Sequence, residues 1–221
     1  MSRYEALVVD FGGVMTTSLQ NAMAAFAMTH GIDMQHLVRA ALGAYTGAED
    51  ELVTDFEKGH ISEADFSVAF AARLSEYSGV DIGHSGLVAG LFEVLDLEED
   101  MFELVERAKG GGYKTALLSN SWGMGLYPID RLRALFDVVV ISGEVGLRKP
   151  DPEIFALTVA KLGLAAEACI FVDDHPGHLK AAQEAGMTTV LHKAPAQSIQ
   201  EVEALLSLTQ PPDGPEVSGS S

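Results

Sequence analysis

The chain has very little cysteine, since Cys169 is the single one among 221 residues. One cysteine cannot form a disulfide within the chain, and a zinc site built on cysteines is excluded as well. Long apolar runs are also absent, because no stretch approaches the roughly 18 residues of a membrane span. Residues 1–10 lack the layout of a signal peptide. We therefore expect a protein of the reducing cytoplasm that does not enter a membrane.

Basic residues are scarce as well. Lys and Arg number 14 against 32 Asp and Glu, which gives a formal net charge of −18 at pH 7. This charge repels nucleic-acid backbones and anionic membranes, so neither is expected as a partner. An anionic substrate then needs a local positive site, such as a metal ion, a lysine or a helix N-terminus. The composition is otherwise that of a globular protein, with 48% hydrophobic and 21% charged residues.

Five short apolar runs, most of them separated by helical patterns, indicate buried parallel strands. The predicted strands are 6–9, 115–118, 138–141, 168–172 and 188–191. Helices are predicted at 97–109, 152–162 and 179–185. This alternation is typical of an open α/β sheet with helices on both faces.

Residues 17–96 have a different pattern, with helical periodicity almost throughout and no convincing strand. Because this block follows the first strand directly, we predict a helical subdomain inserted into the α/β core. The core then consists of residues 1–16 and 97–208. Residues 209–221 are rich in Pro, Gly and Ser and are predicted to form a flexible tail.

Polar and charged side chains follow four of the predicted strands. They are Asp10, then Ser119 and Asn120, then Lys149, and last the pair Asp173 and Asp174. Ligands of open α/β sheets bind at the carboxyl ends of the strands. We therefore expect a carboxylate, a hydroxyl, a cation and an acidic pair to meet at one edge of the sheet.

These residue types suit metal-assisted phosphoryl transfer to a carboxylate. Asp10 can act as the nucleophile, because an ionised carboxylate can form an acyl phosphate and split one hard displacement into two easier ones. Asp10, Asp174 and a backbone carbonyl near Gly12 offer the hard oxygen ligands that Mg²⁺ prefers.

The transferred group itself needs hydrogen-bond donors and a positive charge. The Ser119 hydroxyl and the neighbouring backbone N–H groups around Asn120 can hold phosphate oxygens. Lys149 can neutralise the charge that develops on the phosphoryl group, and it can keep Asp10 ionised.

Four motifs around these residues resemble those of the haloacid dehalogenase-like hydrolases. The motifs are VVDFGGV at Asp10, LLSNS at Ser119, GLRKPDPEIF at Lys149 and FVDDHPGHLKAAQEAGM at Asp173 and Asp174. The resemblance covers essentially the whole chain apart from the tail. It implies a Rossmann-like core with a helical cap inserted after the first motif, which is where residues 17–96 lie.

The resemblance also implies roles for individual residues. Asp10 is the nucleophile, Ser119 and Lys149 bind the phosphoryl group, Asp174 ligates magnesium, and Asp173 is a ligand or a partner of the ligands. The segment 56–62, FEKGHIS, and the first motif are similar to the subgroup that contains the phosphatase domain of soluble epoxide hydrolase. We therefore predict a magnesium-dependent phosphatase that acts on a small phosphorylated metabolite through an aspartyl phosphate.

Gly12 departs from the family pattern, because phosphatases of this family usually carry a second aspartate at this position. That aspartate protonates the leaving alcohol and then activates water, and such help contributes about 10²- to 10⁴-fold in rate. We therefore expect acyl and aryl phosphates to react much better than sugar phosphates. Asp173, His175 or His178 is an alternative proton relay, although both histidines are more typical of surface or helix-start positions.

Three other functions fit part of the pattern. A non-catalytic or regulatory protein would keep the phosphate and metal site but lack turnover because of Gly12. A signalling receiver also uses an acidic pair, a phospho-accepting aspartate, a hydroxyl and a lysine, but its acidic pair comes first in the chain, whereas here it comes last. A halide-releasing dehalogenase would use a metal-free site, and the pair Asp173 and Asp174 argues against it.

Overall fold

A five-stranded parallel sheet forms the centre of the molecule. The computed structural model describes residues 3–41 and 51–208, so the predicted tail lies outside the described residues. The strands are β1 Ala6–Val9, β2 Lys114–Ser119, β3 Val138–Ile141, β4 Cys169–Asp173 and β5 Thr188–Leu191. Their order across the sheet is β3-β2-β1-β4-β5, with every neighbouring pair parallel. The predicted α/β fold with a parallel sheet is confirmed.

The first strand, β1, lies in the middle of this sheet. Its residue Val8 pairs with Ala116 of β2 on one side and with Phe171 of β4 on the other. All four residues of β1 are buried, which explains why the strand is a continuous apolar run rather than an alternating one. Because β1 is central, Asp10 emerges between the ends of its two neighbours, and its N–H donates to the carbonyl of Val172 at 2.9 Å.

Two strands have limits that differ from the predicted ones. Strand β2 is one residue longer at each end than 115–118, and β4 is shifted by one residue from 168–172. Ser119 pairs with Ile141, and Asp173 pairs with Leu191, so both polar residues belong to the sheet. The predicted strands follow runs of apolar residues and so leave these two polar residues out. Their backbones are nevertheless paired with the neighbouring strands. The two side chains are consequently held on rigid elements.

Helices cover both faces of the sheet. They are α6 Glu99–Gly110, α7 Ile129–Leu135, α8 Ser142–Val145, α9 Pro152–Leu162, α10 Pro176–Glu184 and α11 Pro195–Leu206. On one face Leu7 packs in a core with Phe102 of α6, and on the other Val8 packs in a core with Phe155 of α9. Successive residues of β1 thus point to opposite layers, as the pleat of a strand requires.

Helix α10 begins three residues earlier than the predicted 179–185. Proline is accepted at the first position of a helix because its missing N–H has no partner there in any case, and Pro176 occupies that position. Nδ1 of His175 accepts the N–H of Gly177 at 3.1 Å and so caps the helix. A histidine cap is uncommon, so the apolar periodicity alone places the start too late.

Within the described ranges 3–41 and 51–208, five further helices lie between β1 and α6. They are α1 Leu19–His30, α2 Met34–Ala40, α3 Glu51–Glu57, α4 Glu63–Ser78 and α5 Leu87–Leu91, which we call the cap helices. They pack around a hydrophobic core of their own, with Phe66, Phe70 and Leu74 near its centre. Trp122, which follows β2, joins this core. Among the described residues, no helix is long and apolar enough to cross a membrane.

The chain enters and leaves the cap helices side by side. Thr16 forms an antiparallel bridge with Leu97, and the N–H of Thr17 donates to the carbonyl of Asp96 at 2.9 Å. This bridge keeps Leu97 extended, so α6 starts at Glu99 rather than at 97. These contacts lie at the boundary predicted between core and cap, between residues 16 and 17 and between residues 96 and 97. The division into two domains stays a prediction. The cytoplasmic location stays a prediction as well.

Phe66 is expected to be a main contributor to the stability of the cap helices. It is fully buried, with its ring centroid 4.0 Å from that of Phe56 and 5.7 Å from that of Trp122. Replacement by Ala should therefore lower the free energy of unfolding by about 3–5 kcal/mol in urea titrations. Val68→Ala on the same helix, at a side chain that is 55% exposed, is the control and should change it by less than about 0.5 kcal/mol. Equal effects of the two substitutions would contradict this packing.

Candidate active site

A cleft of about 420 Å³ opens between the carboxyl edge of the sheet and the cap helices. From the sheet side it is lined by Asp10, Gly12, Asn120, Asp174, His175 and His178. From the cap side it is lined chiefly by Leu19, Met23, Met34, Val38 and Glu57. The structure thus brings the predicted nucleophile and the predicted metal ligands to one place. Ser119 borders an adjoining cleft of about 210 Å³, and Lys149 lies beneath the surface.

Lys149 is completely buried between two carboxylates. Its Nζ atom is 2.9 Å from Oδ1 of Asp10 and 2.6 Å from Oδ2 of Asp173. Burial of an ammonium group is costly unless opposite charges surround it. Burial opposes the charge of Lys149, but Asp10 and Asp173 outweigh it and raise the pKa of the ammonium above its ordinary value. Lys149 is therefore a fixed positive charge at the base of the cleft.

Asp173 is occupied by neighbours on all sides. Besides Lys149, its Oδ1 atom accepts the N–H of His175 at 2.7 Å, and Nδ1 of His178 lies 3.2 Å from each carboxylate oxygen. Burial works against its charge, but Lys149 and His178 hold the pKa of Asp173 below its ordinary value. Of the two roles that the resemblance allows, this geometry favours a partner of the reacting groups over a metal ligand.

The two histidines lie side by side, with ring centroids 4.4 Å apart. Burial and the charge of Lys149 lower the pKa of His178 to about 4, so the imidazole is neutral at pH 7. In the neutral ring, Nδ1–H donates to Asp173. The sequence favours a surface or helix-start position for both residues, whereas the structure buries His178 and uses His175 as the helix cap.

Asp174 lies beside the turn formed by Gly12 and Gly13. Gly13 has φ +77°, and a Cβ atom there would come within 2.5 Å of Oδ2 of Asp174. Only glycine allows the backbone to approach the carboxylate this closely in that conformation. Burial and the charge of Asp173 raise the pKa of Asp174 to about 6. Burial also raises the pKa of Asp10 well above its ordinary value, and Lys149 only partly offsets this.

This donor set fits a magnesium ion. Mg²⁺ takes oxygen ligands, commonly one or two carboxylates, and Asp10 and Asp174 line the same cleft as Gly12, whose carbonyl is the predicted third ligand. Burial, together with the neighbouring negative charges, raises the pKa of both carboxyl groups, and a divalent cation would favour their ionised forms. Ligand atoms of Asp10, Asp173 and His178 also lie within 4.8 Å of one another. The Lys149 ammonium already lies between those two carboxylates, however, so the Asp174 side suits a cation better.

Ser119 is oriented by a tyrosine that the sequence does not single out. Its Oγ atom is 2.9 Å from the hydroxyl of Tyr127, which also donates to the carbonyl of Asn120 at 3.3 Å. Burial raises the pKa of Tyr127, so the phenol stays protonated and keeps these contacts. Tyr127 follows a short loop with no hydrophobic period, which explains why no sequence signal marks it.

Asn120 holds the backbone of Lys149. Its Nδ2 atom donates to the carbonyl of Lys149 at 2.9 Å, and its Oδ1 atom accepts the N–H of the same residue at 2.8 Å. The side chain is thereby committed to positioning the lysine. A contact between Asn120 and a phosphate oxygen would consequently have to use its backbone N–H.

The model of the haloacid dehalogenase-like hydrolase family matches residues 4–186, which is most of the chain. The chain belongs to this family. Mouse acyl-CoA dehydrogenase family member 10 is 30% identical over 213 residues, which cover 92% of this chain and 19% of that protein. Pig bifunctional epoxide hydrolase 2 is 26% identical over 234 residues, covering 96% of this chain and 41% of the other. The chain thus spans between about a fifth and about two fifths of these curated relatives, and the predicted family is confirmed.

Solved structures of this haloacid dehalogenase family share the fold. An enzyme from Bacteroides thetaiotaomicron, in complex with magnesium and inorganic phosphate, has a TM-score of 0.64 at 23% identity and covers 86% of this chain and 95% of its own. A family hydrolase from Porphyromonas gingivalis has a TM-score of 0.66 at 23% identity and covers 91% and 98%. At this level of identity the likeness establishes the architecture.

Within this haloacid dehalogenase-like site, Leu19 fills the space in front of Gly12. A Cβ atom on Gly12 would lie 2.9 Å from Cδ1 of Leu19, the first residue of helix α1. The cap therefore places an apolar side chain where a residue at position 12 would otherwise extend. The absence of a carboxylate at position 12 and the presence of Leu19 in front of it therefore belong together.

Lys149→Met is expected to destabilise this haloacid dehalogenase-like protein strongly. The substitution leaves Asp10 and Asp173 as unpaired buried carboxylates, which costs about 3–5 kcal/mol of unfolding free energy. Without the lysine both pKa values rise, so the folded state binds protons more tightly than the unfolded state and stability falls as the pH rises. Urea titrations should therefore show a larger loss at pH 8 than at pH 5.

The control for this experiment is Lys180→Met, at a side chain that is 78% exposed. It should leave the free energy of unfolding within about 0.5 kcal/mol of wild type. A loss in Lys149→Met that is independent of pH would show that the two carboxylates do not depend on the lysine for their charge.

Proposed function

We propose that the chain is a magnesium-dependent phosphatase that hydrolyses a small phosphorylated metabolite through an aspartyl phosphate on Asp10. The observation that carries this proposal is the buried cation of Lys149, 2.9 Å from Asp10 at the base of the cleft. In a chain of net charge −18, a fixed positive charge beside a carboxylate gives an anionic group a place to bind. The family and the neighbour with magnesium and inorganic phosphate support the same reaction.

In the first step, an oxygen of Asp10 forms a bond to phosphorus while the bond between phosphorus and the leaving oxygen breaks. The electron pair of that bond departs with the leaving group. Lys149 lowers the pKa of Asp10 against the effect of burial, and it neutralises charge on the transferring group. The Ser119 hydroxyl lies 2.9 Å from that of Tyr127, and it can donate to a phosphate oxygen when it accepts the hydrogen of the phenol. Water then attacks phosphorus, releases inorganic phosphate and restores the carboxylate.

A magnesium ion held by Asp10, Asp174 and the carbonyl of Gly12 supplies charge neutralisation between the nucleophile and the anionic substrate. Asp173 does not contact the substrate in this scheme. It holds Lys149 and His178 in place through contacts of 2.6 and 3.2 Å. The proton relay through Asp173, His175 or His178 stays a prediction. Of the three, Asp173 is held in its charged form by Lys149 and His178.

The walls of the cleft indicate the kind of leaving group. Its cap side is formed largely by Leu19, Met23, Met34 and Val38, and Trp122 completes it. Apolar walls favour an apolar or aromatic group over a polyhydroxylated sugar. The absence of a carboxylate at Gly12 points the same way, because aryl and acyl phosphates leave without a proton donor.

The first test is a substrate screen. In the presence of Mg²⁺, kcat/KM for p-nitrophenyl phosphate and acetyl phosphate should exceed that for glucose 6-phosphate by about 10²- to 10⁴-fold. Asp10→Asn and removal of Mg²⁺ by chelation should each abolish turnover. Equal values for the two substrate classes would contradict the role given to Gly12, and turnover that survives in Asp10→Asn would contradict the nucleophile.

The second test restores an acid. Gly12→Asp alone is expected to gain less than the double variant, because a Cβ atom at position 12 would lie 2.9 Å from Cδ1 of Leu19 and the leucine side chain would have to move. The double variant Gly12→Asp/Leu19→Ala should raise kcat/KM for sugar phosphates by about tenfold or more relative to Leu19→Ala, with little gain on aryl phosphates. An equal gain on both classes would show that the aspartate acts otherwise than by protonating the leaving group.

A second function, phosphate and metal binding without efficient turnover, is favoured by the contact between Gly12 and Leu19. Beryllofluoride, which mimics a phosphoryl group on aspartate, separates the two functions. Tight binding of beryllofluoride with Mg²⁺ and no turnover of any phosphate in the screen would favour the binding protein.

A further inference from the structure

Glu57, the last residue of α3, carries a carboxylate buried inside the protein. The residue is 2% exposed. Its Oε1 atom accepts a hydrogen bond of 3.0 Å from Nε1 of Trp122, and its Oε2 atom lies 2.9 Å from Nε of Arg148. Oε2 receives no aligned hydrogen bond from the part of the chain that the structure describes, so its contact with Arg148 is one of charge. A buried carboxylate of this kind depends on its partners staying in place.

Both partners belong to loops that carry predicted phosphoryl-binding residues. Trp122 lies three residues after Ser119, and Arg148 directly precedes Lys149. A single carboxylate from the cap helices therefore contacts the two loops at once. Glu57 and Arg148 both lie in motifs that carry the family resemblance, but the sequence assigns neither a role, because the two residues are far apart in the chain and only the fold brings them together.

Arg148 is held by the cap from a second direction as well. Its Nη1 atom donates to Oγ1 of Thr54 at 2.8 Å, and Thr54 lies one turn before Glu57 on the same face of α3. Nε of Arg148 also donates to the carbonyl of Lys149 at 3.2 Å. The backbone at Lys149 is consequently connected to α3 through one arginine.

The end of α3 is fixed against the core by its backbone. The Ser142 hydroxyl donates to the carbonyl of Glu57 at 2.5 Å. Two residues later, Gly59 has φ +71°, and a Cβ atom there would lie 2.3 Å from the carbonyl oxygen of Gly143. Only glycine permits such an approach, so Glu57 extends from a point that is itself immobilised.

We propose that Glu57 is a positioning residue for the phosphoryl site, and that its carboxylate holds the loop after Ser119 and the loop of Lys149 at the spacing a phosphoryl group requires. The inference rests on the proposed function, because it takes these two residues to bind a phosphoryl group. Glu57 acts through Trp122 and Arg148 and not by contact with the phosphorus atom.

Several charged or titratable groups face Glu57. Arg148 and Lys149 are the cations, and Tyr127 is close enough for Glu57 to contribute to its raised pKa. His175 and His178 line the same cleft as Glu57.

The charge of Glu57 changes near neutral pH. Burial raises its pKa to about 7, against the opposing effects of Arg148, of the hydrogen bond from Trp122 and of Lys149. The carboxyl group is therefore ionised at pH 8 and largely protonated at pH 6, where the attraction to Arg148 is lost. Since the pKa in the folded state lies above the ordinary value of 4.5, the contribution of Glu57 to stability falls as the pH rises from about 4.5 to 7.

Trp122 reports on this carboxylate directly, because it is the one tryptophan of the chain. A charge on the atom that accepts the indole N–H alters tryptophan emission, so wild-type emission should change with a midpoint near pH 7. Glu57→Gln keeps an oxygen acceptor without a titrating charge and should lose this transition. Glu103→Gln, exposed on α6, is the matched control and should titrate like wild type. A transition that persists in Glu57→Gln would overturn the inference.

Binding of inorganic phosphate with Mg²⁺, measured by calorimetry at pH 8, tests the positioning itself. The Kd should rise about tenfold in Glu57→Gln, because the two loops lose their common charged partner. Glu57→Gln/Arg148→Gln leaves no buried charge unpaired, so it should recover the melting temperature lost in Glu57→Gln but not the phosphate affinity. A purely structural role predicts recovery of both.

The outcomes separate this inference from the proposed function. Wild-type protein that fails to bind phosphate contradicts the proposed function and removes the inference with it. Phosphate binding of equal strength in wild type and Glu57→Gln, or recovery of both properties in the double variant, overturns the inference alone. Should Glu57→Gln fail to fold, the double variant carries the same comparison of phosphate affinity with wild type.

Discussion

The ion pair of Lys149 with Asp10 and Asp173 is the interaction on which the site depends. A buried ammonium cannot persist without these carboxylates, at 2.9 and 2.6 Å, and the carboxylates cannot stay charged without it. Asn120 fixes the backbone of the lysine from the end of a third strand. Three neighbouring strand ends are thus joined by one residue through its side chain and backbone, and this residue places a positive charge at the edge of the sheet in an otherwise acidic protein.

The core and the cap helices contribute different chemistry to the cleft. The sheet edge supplies most of its charged and polar groups, while the cap side supplies four apolar side chains together with Ser18, Gln20 and Glu57. Glu57 is a buried cap carboxylate that reaches back toward the core. Under the proposed function, substrate selection and phosphoryl chemistry would be carried by separate parts of the chain that meet across one cleft.

Much of this arrangement could be predicted from the sequence, because strand ends in a parallel sheet converge whatever the loops do. Asp10 and Asp174 are recognisable for that reason. The roles of Tyr127 and Arg148 cannot be recognised from the sequence, since their contacts depend on loop conformation and, for Arg148, on residues distant in the chain. Leu19 has an ordinary helical context, and only its approach to Gly12 in three dimensions shows that it shapes the site.

Leu19 would also affect the lifetime of an aspartyl phosphate on Asp10. Hydrolysis of the acyl phosphate needs a water molecule in line with the bond to Asp10, and an apolar methyl group beside Gly12 neither orients nor deprotonates one. A phosphorylated form of this chain would decay slowly for that reason. The same side chain would thus set the duration of the covalent state, independently of how fast that state forms.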